Sequence, residues 1–335
     1  MNVERLNILK KIRAERNKTI SLSKEDIIEY SQRCKIPHKS LEIEDCLNTI
    51  FMGDAFEILN FIPDNLVDLL IVDPPYNLRK KYSDSTFNKM SNIDYRNFTE
   101  NWISLLKPKL KKNASIYVCC DWKSSLVIGD VLSRHFIVQN RITWQREKGR
   151  GAKQNWKNAM EDIWFATVSK DYIFNVDNVK MRRKVMAPYK IDGKPKDWNE
   201  TEDGNFRDVF PSNFWDDISI PYWSMPENTN HPTQKPEKLI AKLILANSNK
   251  GSVVLDPFIG SGTTAIVAKK LQRHFIGIEY EREYCALSQK RLEAADENKQ
   301  IQGYTDGVFW ERNTNLSQKK ITRKKIEKSK SGFQN

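Results

Sequence analysis

Short apolar runs that alternate with helix-patterned segments constrain this chain more than any other feature. Residues 67–72, 115–120 and 137–144 read as strands, separated by helical patterns near 94–110 and 123–134. The pattern resumes at residue 236, with a helix near 237–247, a strand at 252–255, a helix from about 263 to 271, a strand at 275–278 and a final helix. Runs apolar on both sides must be covered on both faces, so the expected fold is α/β, a doubly wound, mostly parallel sheet with helices on both faces.

Between residues 146 and 228 the alternation breaks up into segments such as "REKGRGAKQNWKN" and "KMRRKVMAPYKIDGKPKDWNE". Lys and Arg are interleaved there with Trp, Tyr, Asn and Gly, the composition that a phosphate-gripping and base-reading surface requires. Arg146, Lys148, Arg150, Lys153, Arg182 and Arg183 are the candidate nucleic-acid contacts. The competing expectation is a loop-rich subdomain whose tryptophans form a small core of their own. Residues 1–45 are charged and helix-prone, with Ser23 as N-cap of a short helix over 25–34. The small-residue turn of a helix-turn-helix is missing, so an extension packed on the core is expected. Residues 301–335 read as a basic tail, Lys-rich from Ser317 onward, and are expected to be disordered.

A chain of 335 residues with 39% apolar content supplies a real core. Its 55 Lys+Arg against 43 Asp+Glu leave a net charge of +12, which favours a polyanionic partner. No stretch approaches the roughly 18 apolar residues that span a bilayer, and the N-terminus lacks a signal-peptide core, so a cytoplasmic protein without membrane partners is expected. Five cysteines without CxxC spacing and four scattered histidines argue against a disulfide framework and against a metal site.

Two motifs carry chemistry. "VVLDPFIGSGTT", at 253–264, is a strand, an Asp-Pro, a Gly-Ser-Gly turn and a helix start capped by Thr263. Its glycines let backbone approach a ligand at the carboxyl end of a strand. It is neither GxGxxG nor a Lys-bearing phosphate loop. The next strand ends in Glu279, placed to accept hydrogen bonds from ribose hydroxyls, and together these read as a nucleoside half-site. "IVDPPYN", at 71–77, ends another strand. The Asp73 carboxylate and the Pro74 carbonyl, held by two φ-restricted prolines, are two acceptors for the two hydrogens of one NH2 group. An aromatic exocyclic amine is a poor nucleophile, and gripping both hydrogens turns its lone pair toward an electrophile. Tyr76 offers a flat face for an extruded base.

"DPPY" at 73–76, "HPTQKP" at 231–236 and "LDPFIGSGTT" at 255–264, with "FIGIE" following, resemble the amino-methyltransferases of DNA that use S-adenosyl-L-methionine. The resemblance is to the permuted, adenine-specific group of restriction-modification systems, and it covers about residues 46–298. It implies the catalytic loop at Asp73, Pro74, Pro75 and Tyr76. It implies the methyl-donor site at Asp256, Pro257, Phe258, Gly260, Ser261, Gly262, Thr263 and Glu279, with Thr233 and Lys235 beside the methionine end and Asp54, in "MGDAFEIL", near the adenine. Because the donor motif follows the catalytic motif, the resemblance implies a circularly permuted methyltransferase fold: a catalytic half at 46–145, a target-recognition region at 146–228 and a donor-binding half at 229–300. Double-stranded DNA is the implied substrate, and a homodimer and a cognate restriction endonuclease are candidate partners.

Methylation of cytosine N4 uses the same amine chemistry, but those relatives more often carry Ser before Pro-Pro-Tyr, so Asp73 favours adenine. Cytosine C5 chemistry needs a Pro-Cys nucleophile, and no cysteine here follows a proline. A non-catalytic DNA-binding subunit is the reading from another class, opposed by the intact motifs. A flipped adenine in RNA presents the same edge.

Overall fold

The computed structural model describes residues 15–81, 85–146, 154–185, 189–201 and 204–312. An eight-stranded sheet forms its centre, in the order Thr49–Met52, His274–Glu279, Val253–Asp256, Val67–Val72, Leu110–Cys120, Met160–Thr167, Ile137–Gln145, Phe214–Trp215. Pairing is parallel except at Met160–Thr167, which runs antiparallel to both neighbours. Two strands from late in the chain therefore lie between two early ones, and Leu255 pairs with Leu70. That neighbourhood is the physical content of the permuted order.

The Val67–Val72 strand is almost wholly apolar because both of its faces are covered. Leu69 and Ile71 belong to a buried cluster with helices Glu237–Asn247 and Thr263–Lys270. Leu70 and Val72 belong to a second, with helices Asn92–Leu106 and Trp122–His135.

In the N-terminal extension, helix Lys24–Ser31 starts at Ser23, whose hydroxyl and the Asp26 carboxylate form a reciprocal capping box. This helix lies along Arg282–Glu297, where Lys290 pairs with Asp26 at 2.9 Å and Arg33 with Glu293.

Three expectations need correction. Met160–Thr167, inside the segment expected to be a separate recognition region, is an interior strand of the main sheet, and Phe214–Trp215 adds its edge. Residues 301–312, expected within the tail, are ordered: Tyr304–Thr305 and Val308–Trp310 form a hairpin in a second, five-stranded sheet with Met181–Lys184, Gly204–Val209 and Asn199–Thr201. Phe309 is fully buried and seals this sheet against the core, which is why the chain does not fray after the last long helix. The tail from Ser317 lies outside the described residues. Thr263 does not cap its helix; the capping position is Gly262, in the left-handed region at φ +81°.

Candidate active site

Parallel strands bring their carboxyl ends to one edge of a sheet, and here that edge collects Glu279, Asp256 and Asp73 from three adjacent strands. The antiparallel strand Met160–Thr167 delivers its amino end to the same edge and adds Glu161.

The loop after Val72 is held from several sides. The Tyr95 hydroxyl donates to the Pro75 carbonyl at 3.1 Å, and the Asn77 N–H donates to Ser124 Oγ at 3.2 Å. The Asn77 side chain bridges Met90 through its N–H, at 2.6 Å, and its carbonyl, at 3.0 Å. With two prolines restricting φ, the loop is built before any substrate arrives.

Asp73 Oδ2 accepts from Lys235 Nζ at 2.6 Å and Oδ1 accepts from the Tyr76 hydroxyl at 3.0 Å. That hydroxyl also lies 3.1 Å from Glu161 Oε2 and 3.0 Å from Lys235 Nζ. Lys235 stands 3.4 Å from Glu161, and Arg146 pairs with the other oxygen of Glu161. Two carboxylates and two cations thus balance at this edge. Burial raises the Asp73 carboxyl above its ordinary value against the pull of Lys235. Burial alone would depress Lys235, yet Asp73 and Glu161 hold its ammonium above the usual range. Burial, then the same two carboxylates, raises the Tyr76 phenol far enough that it keeps its proton.

On the donor side, Asp256 accepts from the Phe258 N–H at 3.1 Å and from Thr264 Oγ1 at 2.6 Å. Glu279 accepts from the Gly260 and Glu281 N–H groups, both at 2.8 Å. Burial pushes both carboxyls up to about 7. The glycines are crowded by protein: a Cβ on Gly260, at φ +54°, would stand 3.0 Å from His231 Nε2, and one on Gly262 would stand 2.7 Å from Ser288 Cβ. Packing against His231 and Ser288 is a second demand on these positions, beside the ligand approach that the sequence reading gave them. Thr263 Oγ1 donates to the Lys235 carbonyl at 3.1 Å and accepts from Arg291 at 3.1 Å, tying the 231–236 turn to the glycine turn. His231 is driven down to about 3 by burial and then by Lys235 and Arg291, so it is a neutral ring that accepts from the Thr233 N–H at 3.3 Å. Asp54 caps the Ala55–Ile58 turn through the Phe56 N–H at 2.7 Å.

A cavity of about 470 Å³ opens on this edge. Its wall includes Asp54, Asp73, Pro75, Thr233, Lys235, Asp256, Pro257, Phe258, Gly260, Ser261, Thr263 and Glu279; Pro74, Tyr76 and Gly262 adjoin these residues in sequence without lining it. Carboxylates and the rings of Phe56, Phe87 and Phe98 in the same wall suit a ligand with both hydroxyls and an aromatic base.

Three candidate nucleic-acid contacts are already paired with carboxylates: Arg146 with Glu161, Arg182 with Asp208 at 2.7 Å, and Arg183 with Glu311 at 3.4 Å. Lys148, Arg150 and Lys153 lie outside the described residues. Sequence reasoning missed Glu161, Tyr95 and Arg291. A strand beginning "MEDIWFAT" was the available signal for Glu161, hidden by its two acids. Among the described residues no His, Cys, Asp and Glu cluster suits a metal ion.

The glycine turn and the Asp-Pro-Pro-Tyr loop thus share one cavity at the strand ends of an α/β sheet, where proteins of this class hold their ligands. A family model described as DNA methylase matches residues 67–290. The chain is 32% identical over 248 residues to the Type II methyltransferase M.HpaI of Haemophilus parainfluenzae, covering 73% of this chain and 74% of that one. It is 35% identical over 249 residues to the DNA adenine methyltransferase YhdJ of Escherichia coli (strain K12), covering 74% and 83%. The solved PvuII DNA methyltransferase (cytosine-N4-specific) shares the fold, with a TM-score of 0.55 at 19% identity over 79% of this chain and 94% of that chain. The chain belongs to the DNA methylase family.

Proposed function

We propose that this protein transfers a methyl group from S-adenosyl-L-methionine to the N6 amine of an adenine extruded from double-stranded DNA, as the modifying enzyme of a restriction-modification system. The carrying observation is that Asp73 and Glu279, more than two hundred residues apart in sequence, line one cavity at one sheet edge. Similarity to M.HpaI and to the adenine enzyme YhdJ supports the same reading.

When bound, S-adenosyl-L-methionine supplies an electrophilic methyl group on a sulfonium sulfur. Glu279, Asp54, Phe258 and Thr233 would hold it, the carboxylates accepting from its ribose hydroxyls and its exocyclic amine and Phe258 offering an apolar face. Asp73 and the Pro74 carbonyl accept the hydrogens of the adenine amine. An ionised carboxylate has about four lone-pair sites, so the bonds from Lys235 and Tyr76 leave acceptor capacity on Asp73. The prolines and the Tyr95 and Asn77 anchors keep these acceptors in place, so orientation needs no rearrangement at the moment of reaction. Tyr76 stacks on the base.

DNA contact falls to the segment beyond Arg146 and to the sheet carrying Arg182 and Arg183, whose ion pairs would be exchanged for phosphates. A homodimer and a cognate restriction endonuclease are the proposed partners. The enzyme would act in the cytoplasm; among the described residues no helix is long and apolar enough to cross a membrane.

Expression in a methylation-deficient bacterium, followed by modification-sensitive sequencing of its DNA, tests the reading. N6-methyladenine at one recognition sequence is expected, and N4-methylcytosine or unmodified DNA would overturn it.

A further inference from the structure

Glu161 is a buried carboxylate that neither amine gripping nor donor binding calls for. Its side chain is 5% exposed, yet it faces Tyr76, Lys235 and Arg146 at once. A carboxylate withdrawn from water to this degree costs several kcal/mol unless it is fully partnered. Its placement follows from the antiparallel interior strand of the main sheet, whose amino end reaches the edge where the parallel strands end.

We infer that Glu161 is a positioning residue for the catalytic loop: anchored by Arg146, it takes a share of the Tyr76 hydroxyl and of the Lys235 ammonium and so keeps Asp73 available to the adenine amine. The inference rests on the amine-methylating reading above.

Counting donors shows why. Tyr76 has one hydroxyl hydrogen and two carboxylates in reach, at 3.0 and 3.1 Å. Lys235 has one charge and the same two carboxylates, at 2.6 and 3.4 Å. Without Glu161, both donors would fall on Asp73 alone. It would still have open lone-pair sites, but the whole Tyr76 hydroxyl hydrogen and the full charge of Lys235 would weaken both of its oxygens as acceptors. Glu161 is therefore placed to divide the donors between two acids, so that the acid facing the cavity stays the stronger acceptor.

The test is a Glu161→Gln and Glu161→Asp pair in the full-length protein, assayed on DNA containing the recognition sequence. Glu161→Gln should lower kcat about tenfold or more while KM for DNA and donor affinity stay within about twofold, because orientation rather than binding is lost. Asp73 is faced by Lys235, Tyr76, Glu161, Cys119, Tyr95 and Asp256. Of these, Glu161 contributes negative charge that raises the Asp73 carboxyl. Its removal should move the acid limb of the pH–rate profile to lower pH, and Glu161→Asp, which keeps the charge, should leave the limb in place. A 2-aminopurine target should show unchanged base extrusion in both variants.

Wild-type kcat and an unmoved acid limb in Glu161→Gln would overturn the inference alone. So would equal losses of kcat, donor affinity and thermal stability in both variants, the mark of a merely structural acid. A wild-type protein that leaves adenine unmethylated would overturn the parent reading and this inference with it.

Discussion

Lys235 Nζ lies 2.6 Å from Asp73 Oδ2, joining residues 162 positions apart in the chain. The contact fastens the 231–236 turn, held beside the glycine turn through Thr263, to the loop proposed to grip the target amine. Donor side and acceptor side of the cavity are thereby one mechanical unit.

Replacing Asp73 by Ala should lower methyl transfer by at least about a hundredfold, the loss typical of a charge-stabilising group at a reacting centre. Lys235 retains Glu161 at 3.4 Å, so folding should survive. Tritiated methyl incorporation measures the first effect. Calorimetry should find donor affinity largely kept.

Lys235→Met removes the cation between the buried Glu161 and the partly exposed Asp73. Breaking a buried pair in this way costs on the order of 3–5 kcal/mol in urea unfolding. The deficit should be smaller at pH 5 than at pH 8, because without its cation Asp73 is more readily protonated and protonation relieves the repulsion from Glu161. A deficit that does not change with pH would show that lost packing is the cause.

At Tyr76 the ring and the hydroxyl separate by substitution. Tyr76→Ala should weaken capture of the extruded adenine by roughly 1–3 kcal/mol, the usual worth of base stacking. Tyr76→Phe should keep capture, read by 2-aminopurine fluorescence, and lose part of kcat, since the hydroxyl bonds to Asp73 and Glu161 are gone.

Glu227 lies away from the cavity and accepts from the Glu237 N–H at 2.7 Å, standing in for the missing side-chain cap of helix Glu237–Asn247. Burial first, then the charge of Glu237, pushes its carboxyl up to about 7 from an ordinary 4.5. The folded state holds this proton more tightly than the unfolded chain does. Its stabilising contribution is therefore full below about pH 4.5 and lost as pH rises through about 7. Glu227→Gln keeps an acceptor without the ionisation, so the fall in melting temperature between pH 5 and pH 8 should be shallower than in the wild type.

Neutralising Lys148, Arg150 and Lys153 together should weaken binding to all DNA sequences and flatten the salt dependence by up to about three units of slope if each meets a phosphate. An unchanged slope, with the dependence lost instead on deletion after Ser317, would move the contact to the tail.

Elements whose stability is local were legible in the sequence. The strand at 67–72 and the helix at 237–247 fall where the apolar period placed them, and Ser23 caps its helix as its side-chain chemistry requires. The Asp-Pro-Pro-Tyr and Gly-Ser-Gly turns were legible for a related reason: each is a short turn at a strand end whose backbone demands Pro or Gly. Tertiary structure alone decided which strand ends meet, because pairing Leu255 with Leu70 is a long-range event that no window of sequence contains. It also decided the fate of Met160–Thr167. Glu161 and Asp162 make the head of that strand read as a loop, and both are buried because Arg146, Lys235, Thr143 and Tyr76 compensate them from elsewhere in the chain. A charge is polar in sequence and becomes tolerable in a core only through partners that the fold supplies.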